Sequence, residues 1–184
     1  MKNNTKRIKP ALLALCIVVF VTSWSQAQNT GKLTVNARVQ GSIGLVFKDN
    51  AAVGTNGFCL LTNAGTNNVG LDMGTASFTT GDTQSCVSFL RALGFYFVSS
   101  AFDVVVTKAN STSANYQLAA SLSTAPPNNV FWSLNLVTLS TTFNTIQNTN
   151  NYGSPVTETL GVLVNQNVPQ QTLFETVNFL ATAN

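Results

Sequence analysis

The residues able to do chemistry in this 184-residue chain are few, and they limit what it can do. Histidine is absent. A Ser-His-Asp or Cys-His relay therefore cannot be built, and the His-bearing zinc sites are excluded with it. The acids are Asp49, Asp72, Asp82, Asp103, Glu158 and Glu175. A glycosidase needs two carboxylates converging on one cleft, whereas these are single and scattered along the sequence. Asp49, Asp72 and Asp82 fall in or near turn-like stretches, where Asp commonly bonds its own backbone. Their spacing matches no calcium loop, and the chain has no phosphate loop or dinucleotide fingerprint. Asn110-Ser111-Thr112 fits a glycosylation acceptor, a triplet that arises readily in a chain this rich in Asn, Ser and Thr. The expectation is a protein that is not an enzyme, with no catalytic residues, no metal site and no cofactor.

The cysteines direct attention to the N-terminus. Lys2, Lys6, Arg7 and Lys9 precede an apolar run over residues 11–21. Ser25-Gln26-Ala27 then offers a small-x-small cleavage site. This is the three-zone pattern of a secretory signal peptide over residues 1–27. The run is too short to span the roughly 30 Å of a bilayer core. Cys16 lies inside it and follows Leu15, where a lipoprotein signal needs a small residue. Export would leave Cys59 and Cys86 in an oxidising compartment, and a disulfide between them is the natural pairing. The chain-entropy account gives such a link on the order of 3 kcal/mol.

Cleavage would also change the charge. The whole chain carries +3, but the leader holds four basic residues and no acid. The remainder sets Lys32, Arg38, Lys48, Arg91 and Lys108 against six acids, a net charge of −1. No basic patch remains to hold a phosphate backbone, so nucleic acid is not an expected partner. The expected location is secreted: periplasm, cell surface or extracellular space, with no membrane span after cleavage.

These residues must be positioned by strands. After residue 30 the dominant hydrophobic period is two. Leu33, Val35, Ala37 and Val39 alternate with polar residues, and residues 43–47 continue as a second short strand. Residues 89–98 are rich in aromatics and favour strand over helix. Phe102, Val104 and Val106 alternate, as do Tyr116, Leu118, Ala120 and Leu122. Pro126-Pro127-Asn128-Asn129 interrupts the chain. Within residues 130–139 the apolar phase runs Trp132, Leu134, Leu136 and then slips to Val137 and Leu139, which predicts a bulge. Trp132 and Phe131 point to opposite faces, with Trp132 expected in the core. Residues 148–155 read as a loop. The last two strands, Leu160-Val162-Val164 and Val177-Phe179-Ala181-Ala183, read as a closing hairpin. Short strands separated by turn signals predict a β-sandwich or barrel, here one domain over residues 28–184.

Three segments resemble bacterial secreted fimbrial-subunit-like and spore-coat-U-like β-sandwich proteins. Residues 32–47, KLTVNARVQGSIGLVF, are similar to their first strand after the signal peptide. Residues 69–78, VGLDMGTASF, resemble their Leu-x-Phe-Gly strand turn, with Met73 where Phe is usual. Residues 159–184, TLGVLVNQNVPQQTLFETVNFLATAN, resemble their closing strands. The resemblance implies an all-β, immunoglobulin-like Greek-key sandwich and a structural role at the cell surface. It also implies self-association by strand addition, in which an N-terminal extension fills a groove in the next subunit. The extension before the first strand, residues 28–31, is short. Leu33, Val35, Ala37 and Val39 are therefore the candidate donor or edge strand, unless the domain completes its own sheet. The alternative role is a monomeric binding module, an adhesin or glycan binder with a surface partner.

Overall fold

The computed structural model describes residues 42–184 except 80 and 170, and among these it is all β, with no helix. The predicted leader and the alternating residues Leu33 to Val39 lie outside the described residues. The chain forms β1 (Ser42–Lys48), β2 (Leu61–Thr62), β3 (Gly70–Leu71), β4 (Ala76–Ser77), β5 (Gly81–Asp82), β6 (Ser88–Ala92) and β7 (Phe95–Ala109). There follow β8 (Asn115–Leu122), β9 (Val130–Leu134), β10 (Val137–Thr138), β11 (Asn144–Asn151), β12 (Pro155–Asn165) and β13 (Val177–Ala183).

Two sheets carry the core. The first has the order β1-β7-β12-β9-β10, with β6 also on β7; the second is β11-β8-β13. All pairings are antiparallel. The 15-residue β7 is the spine of the first sheet. β6 pairs with its first half and β1 with its second. Between them the Ala101 N–H donates to the Gly57 carbonyl.

The period-two pattern explains the layering, because alternate side chains of each strand face the other sheet. Val104 and Val106 of β7, Leu160, Val162 and Val164 of β12 and Trp132 and Leu134 of β9 pack against Tyr116, Leu118, Ala120 and Leu122 of β8 in one buried cluster. The two sheets thus share a core, the arrangement of a β-sandwich. Trp132 is buried and Phe131 is half exposed, on opposite faces as the sequence predicts. Cys59 and Cys86 form a disulfide. It ties together the segment carrying β2 to β5, whose strands are only two residues long.

Three sequence expectations are corrected. The phase slip after Leu134 is not a bulge but a tight hairpin: Asn135 and Leu136 both adopt positive φ, 48° and 67°, and join β9 to β10. That conformation is the type I′ turn that matches strand twist. Residues 148–151, read as loop, belong to β11, and its irregular register against β8 contains the bulges of this fold. The closing hairpin is not a hairpin. β12 pairs with β7 and β9, and β13 pairs with β8, so the connection crosses from one sheet to the other.

Candidate functional site

All six acids in the chain are committed as hydrogen-bond acceptors. Asp49 accepts from the Leu61 N–H, Asp72 from the Gly74 N–H and Asp82 from the Gln84 N–H. Asp103 accepts from Asn50 Nδ2 and Thr157 Oγ1. Glu175 is held by both the hydroxyl and the N–H of Ser123 and of Thr124. Burial alone would raise its pKa, but the bonds from Thr124, Ser123 and Thr176 outweigh burial and hold its carboxyl below the usual range. Sequence separation hides the proximity of Asp72 and Asp82. Partial burial raises the Asp82 carboxyl, the N–H groups of Gln84 and Thr83 oppose this, and Asp72 adds to the rise. Among the described residues no group of three Cys, Asp or Glu side chains is placed to hold a metal ion.

Glu158 is different. It shares the inward phase of β12 with Leu160, Val162 and Val164, and it is fully buried between the sheets. Oε2 accepts from Asn135 Nδ2 at 2.6 Å and Oε1 from Gln147 Nε2 at 2.7 Å. These neutral amides join the β9–β10 turn and β11 through one carboxylate. Burial pushes its pKa up to about 7, against the lowering effect of Gln147 and Asn135. The Tyr116 and Tyr152 hydroxyls are also buried and accept or donate no hydrogen bond among the described residues. Sealed from solvent, Glu158 cannot reach a substrate; its position is structural. The signal for it in the sequence is its place in the apolar phase of a strand.

A trough of about 1890 Å³, lined in good part by apolar side chains, lies beside β13. It exists because the second sheet has three strands and the first is wider. Part of the first sheet's inner face, including Tyr96, Val98, Phe102 and Val162, forms the floor. Ile43, Leu45 and Phe47 of β1, with Leu71 and Met73 of the disulfide-tied segment, form one wall. Val177, Phe179 and Ala181 of β13, with Val168 and Leu173 before it, form the other. An aromatic cluster links the walls, with the Phe47 and Phe179 rings 5.0 Å apart and the Phe47 and Phe102 rings 5.9 Å apart.

Two strand edges border the trough. The inner edge of β13 pairs with β8, and among the described residues no strand pairs with its outer edge. Among the described residues, the outer edge of β1 is bonded at Phe47, by the loop residues Gly65 and Thr66. Of the residues singled out from the sequence, Val177, Phe179, Ala181 and Ala183 therefore sit on the strand that flanks the trough. Cys59 and Cys86 fasten its opposite wall. Met73 contributes to the lining. The trough itself has no local sequence signal, since its residues come from segments more than 100 positions apart. Among the described residues no helix is long and apolar enough to cross a membrane. No protein-family model, no curated protein and no solved structure matches the chain.

Proposed function

We propose that the protein is a secreted, non-catalytic structural subunit of the cell surface that self-associates by strand addition. In this reading the domain is an immunoglobulin-like Greek-key sandwich short of one strand. The trough beside the edge of β13 that no described strand pairs with carries the proposal. An extended segment laid there would gain backbone hydrogen bonds along β13 and bury alternate side chains against Val177, Phe179 and Ala181. Leu33, Val35, Ala37 and Val39 supply that alternation.

The phase of this segment favours a neighbour over its own chain. Only Gln40 and Gly41 separate Val39 from Ser42. Turned back on those two residues along β1, Arg38 would pair with Ile43, Asn36 with Leu45 and Thr34 with Phe47. Directly opposed residues share a face, so the polar set would enter the trough and the apolar set would face outward. A one-residue slip reverses a whole strand, and burying Arg38 and Asn36 without partners costs several kcal/mol. Addition to a second copy has no such constraint on register.

The test is electron microscopy and size-exclusion chromatography of the exported chain. Wild type is expected to form filaments or ladders that resist mild detergent, and Val35→Asn with Ala37→Asp to stay monomeric with unchanged circular dichroism. A wild-type monomer that binds glycans would replace this reading with that of a binding module, for which half-exposed Phe131 is the supporting observation.

A further inference from the structure

Asp103 gathers a hydroxyl and a side-chain amide onto one carboxylate. It sits on β7 with Thr157 of β12 directly across from it on one side and Lys48 of β1 on the other. Oδ1 accepts from Thr157 Oγ1 at 2.8 Å and from Asn50 Nδ2 at 2.7 Å. Asn50 Nδ2 also donates to Thr157 Oγ1 at 3.1 Å, which closes a triangle of polar atoms. A further contact lies on the oxygen of the same amide: Asn50 Oδ1 accepts from the Ala52 N–H at 2.9 Å. The other multiply bonded carboxylates lack this combination. Glu175 meets the hydroxyls of Ser123 and Thr124 but no side-chain amide, and Glu158 meets the amides of Asn135 and Gln147 but no hydroxyl.

Each group stands where an acyl transfer needs it. A hydroxyl bonded to a carboxylate is an alcohol beside its general base. A carbonyl oxygen bonded to a backbone N–H has a donor for the charge that develops on it. The amide nitrogen rests on the same Oδ1 that receives the hydroxyl proton, so one oxygen can serve first as base and then as acid. Asp103 and Thr157 are carried by paired strands, and the bond from Ala52 holds Asn50, so the groups are positioned before any reaction. Thr157 is exposed while Asn50 and Asp103 are half-buried, so water reaches the site. The tethered hydroxyl prevails over it as acyl acceptor, because well-oriented groups in one molecule act at effective concentrations of roughly 10⁵ M or more, far beyond that of water itself.

We propose that Thr157 and Asn50 join in an ester cross-link that the chain forms on itself, with Asp103 as the catalytic residue. Thr157 Oγ1 attacks the Asn50 amide carbon and gives its proton to Asp103 Oδ1. The Oγ1–Cγ bond forms, the Cγ–Nδ2 bond breaks, and Asp103 passes the proton to the departing nitrogen. The products are one ester and one ammonia, and Asp103 is regenerated. The reaction occurs once in each chain, so it is self-modification rather than turnover. The link ties the loop after β1 to β12 across β7, joining residues 107 positions apart. It does not depend on strand addition.

The test is the intact mass of the exported full chain under denaturing conditions, followed by tandem mass spectrometry of its peptides. Wild type is expected to be lighter by one ammonia than its sequence with the disulfide formed, with the Asn50 and Thr157 peptides linked. Thr157→Val is expected to show the full mass, whereas Thr157→Ser keeps the hydroxyl and should still lose ammonia. Asp103→Asn keeps the shape, removes the base and should slow linkage by at least about a hundredfold. Circular dichroism matching wild type identifies the variants that have folded. Wild type at its full mass would overturn the proposal. So would Asn50 converted to Asp with no linked peptides, which would make water the acceptor. Ammonia loss that persists in Thr157→Val would place the reaction at another asparagine, such as Asn56 before Gly57, and would overturn it equally.

Discussion

Glu158 makes the stability of this fold depend on pH in a definite direction. Its carboxyl titrates near pH 7 in the folded protein, because burial disfavours the charge, and near 4.5 when unfolded. Between these values the folded state holds a proton that the unfolded state has lost. Its contribution is therefore fully present below pH 4.5, declines as pH rises through 7 and is gone above that. The span corresponds to about 3 kcal/mol. Thermal melting from pH 4.5 to 8.5 should show a falling Tm in wild type. Glu158→Gln should flatten that slope and melt higher at pH 8, with Gln147 turning its amide to offer an oxygen. A slope unchanged by the substitution would place the titration elsewhere. Among the described residues the groups facing Glu158 from the second sheet, Gln147 and Tyr116, are uncharged, and the Tyr152 ring lies tilted with its centre 5.3 Å from that of Tyr116. Lys108 lies over the Tyr152 ring, 4.9 Å from its centre.

At the scale of the element, the β9–β10 turn is the place where local chemistry and conformation disagree. Asn tolerates positive φ, but Leu136 adopts 67° while 85% exposed, so its side chain contributes little packing in return. A left-handed conformation costs a non-glycine residue about 1 kcal/mol. Leu136→Gly creates the Asn-Gly pair that type I′ turns favour and should raise unfolding free energy by about 1 kcal/mol, read from the urea midpoint. Loss of stability instead would show that Leu136 packs in solution. This Leu is also why the turn was not legible: apolar residues at Leu136 and Val137 imitate a slipped strand. The strand β8 was legible because Tyr116, Leu118, Ala120 and Leu122 all face one core. β11 was not, since Asn144–Asn151 is mostly polar and its register is irregular. Nothing local distinguishes two strands that pair with each other from two that cross between sheets, so β12 and β13 read as a hairpin. Glu158 was read as one of several scattered acids because its burial comes from β9, β11 and β8 rather than from its own strand.

For the whole molecule, the disulfide determines how firmly one wall of the trough is held. The segment it spans relies on two-residue strands and a small satellite core of Cys59, Val87 and Val98. Cys59 is buried, and its N–H donates to Ser100 Oγ on β7. Replacing both cysteines by Ala should lower stability by about 3 kcal/mol, read in urea, and should loosen the wall bearing Leu71 and Met73 before the second sheet. Protease sites opening first in residues 61–79 would show this; cleavage beginning in β8 would contradict it. The pairing of these cysteines was legible from their number and the predicted export, whereas the trough they support needed the fold.

The spine strand β7 has one further consequence. Over most of Phe95–Val105 its backbone is engaged on both sides, by β6, Gly57 and β1 on one edge and by β12 on the other. Opening it requires opening the sheet, so its amides belong to the slowest-exchanging unit of the molecule. Among the described residues β13 has one partner strand, β8, and can fray with that one pairing. The trough therefore combines a floor that moves only with global unfolding and a rim that breathes on a much shorter timescale, a rigid template with a yielding lip.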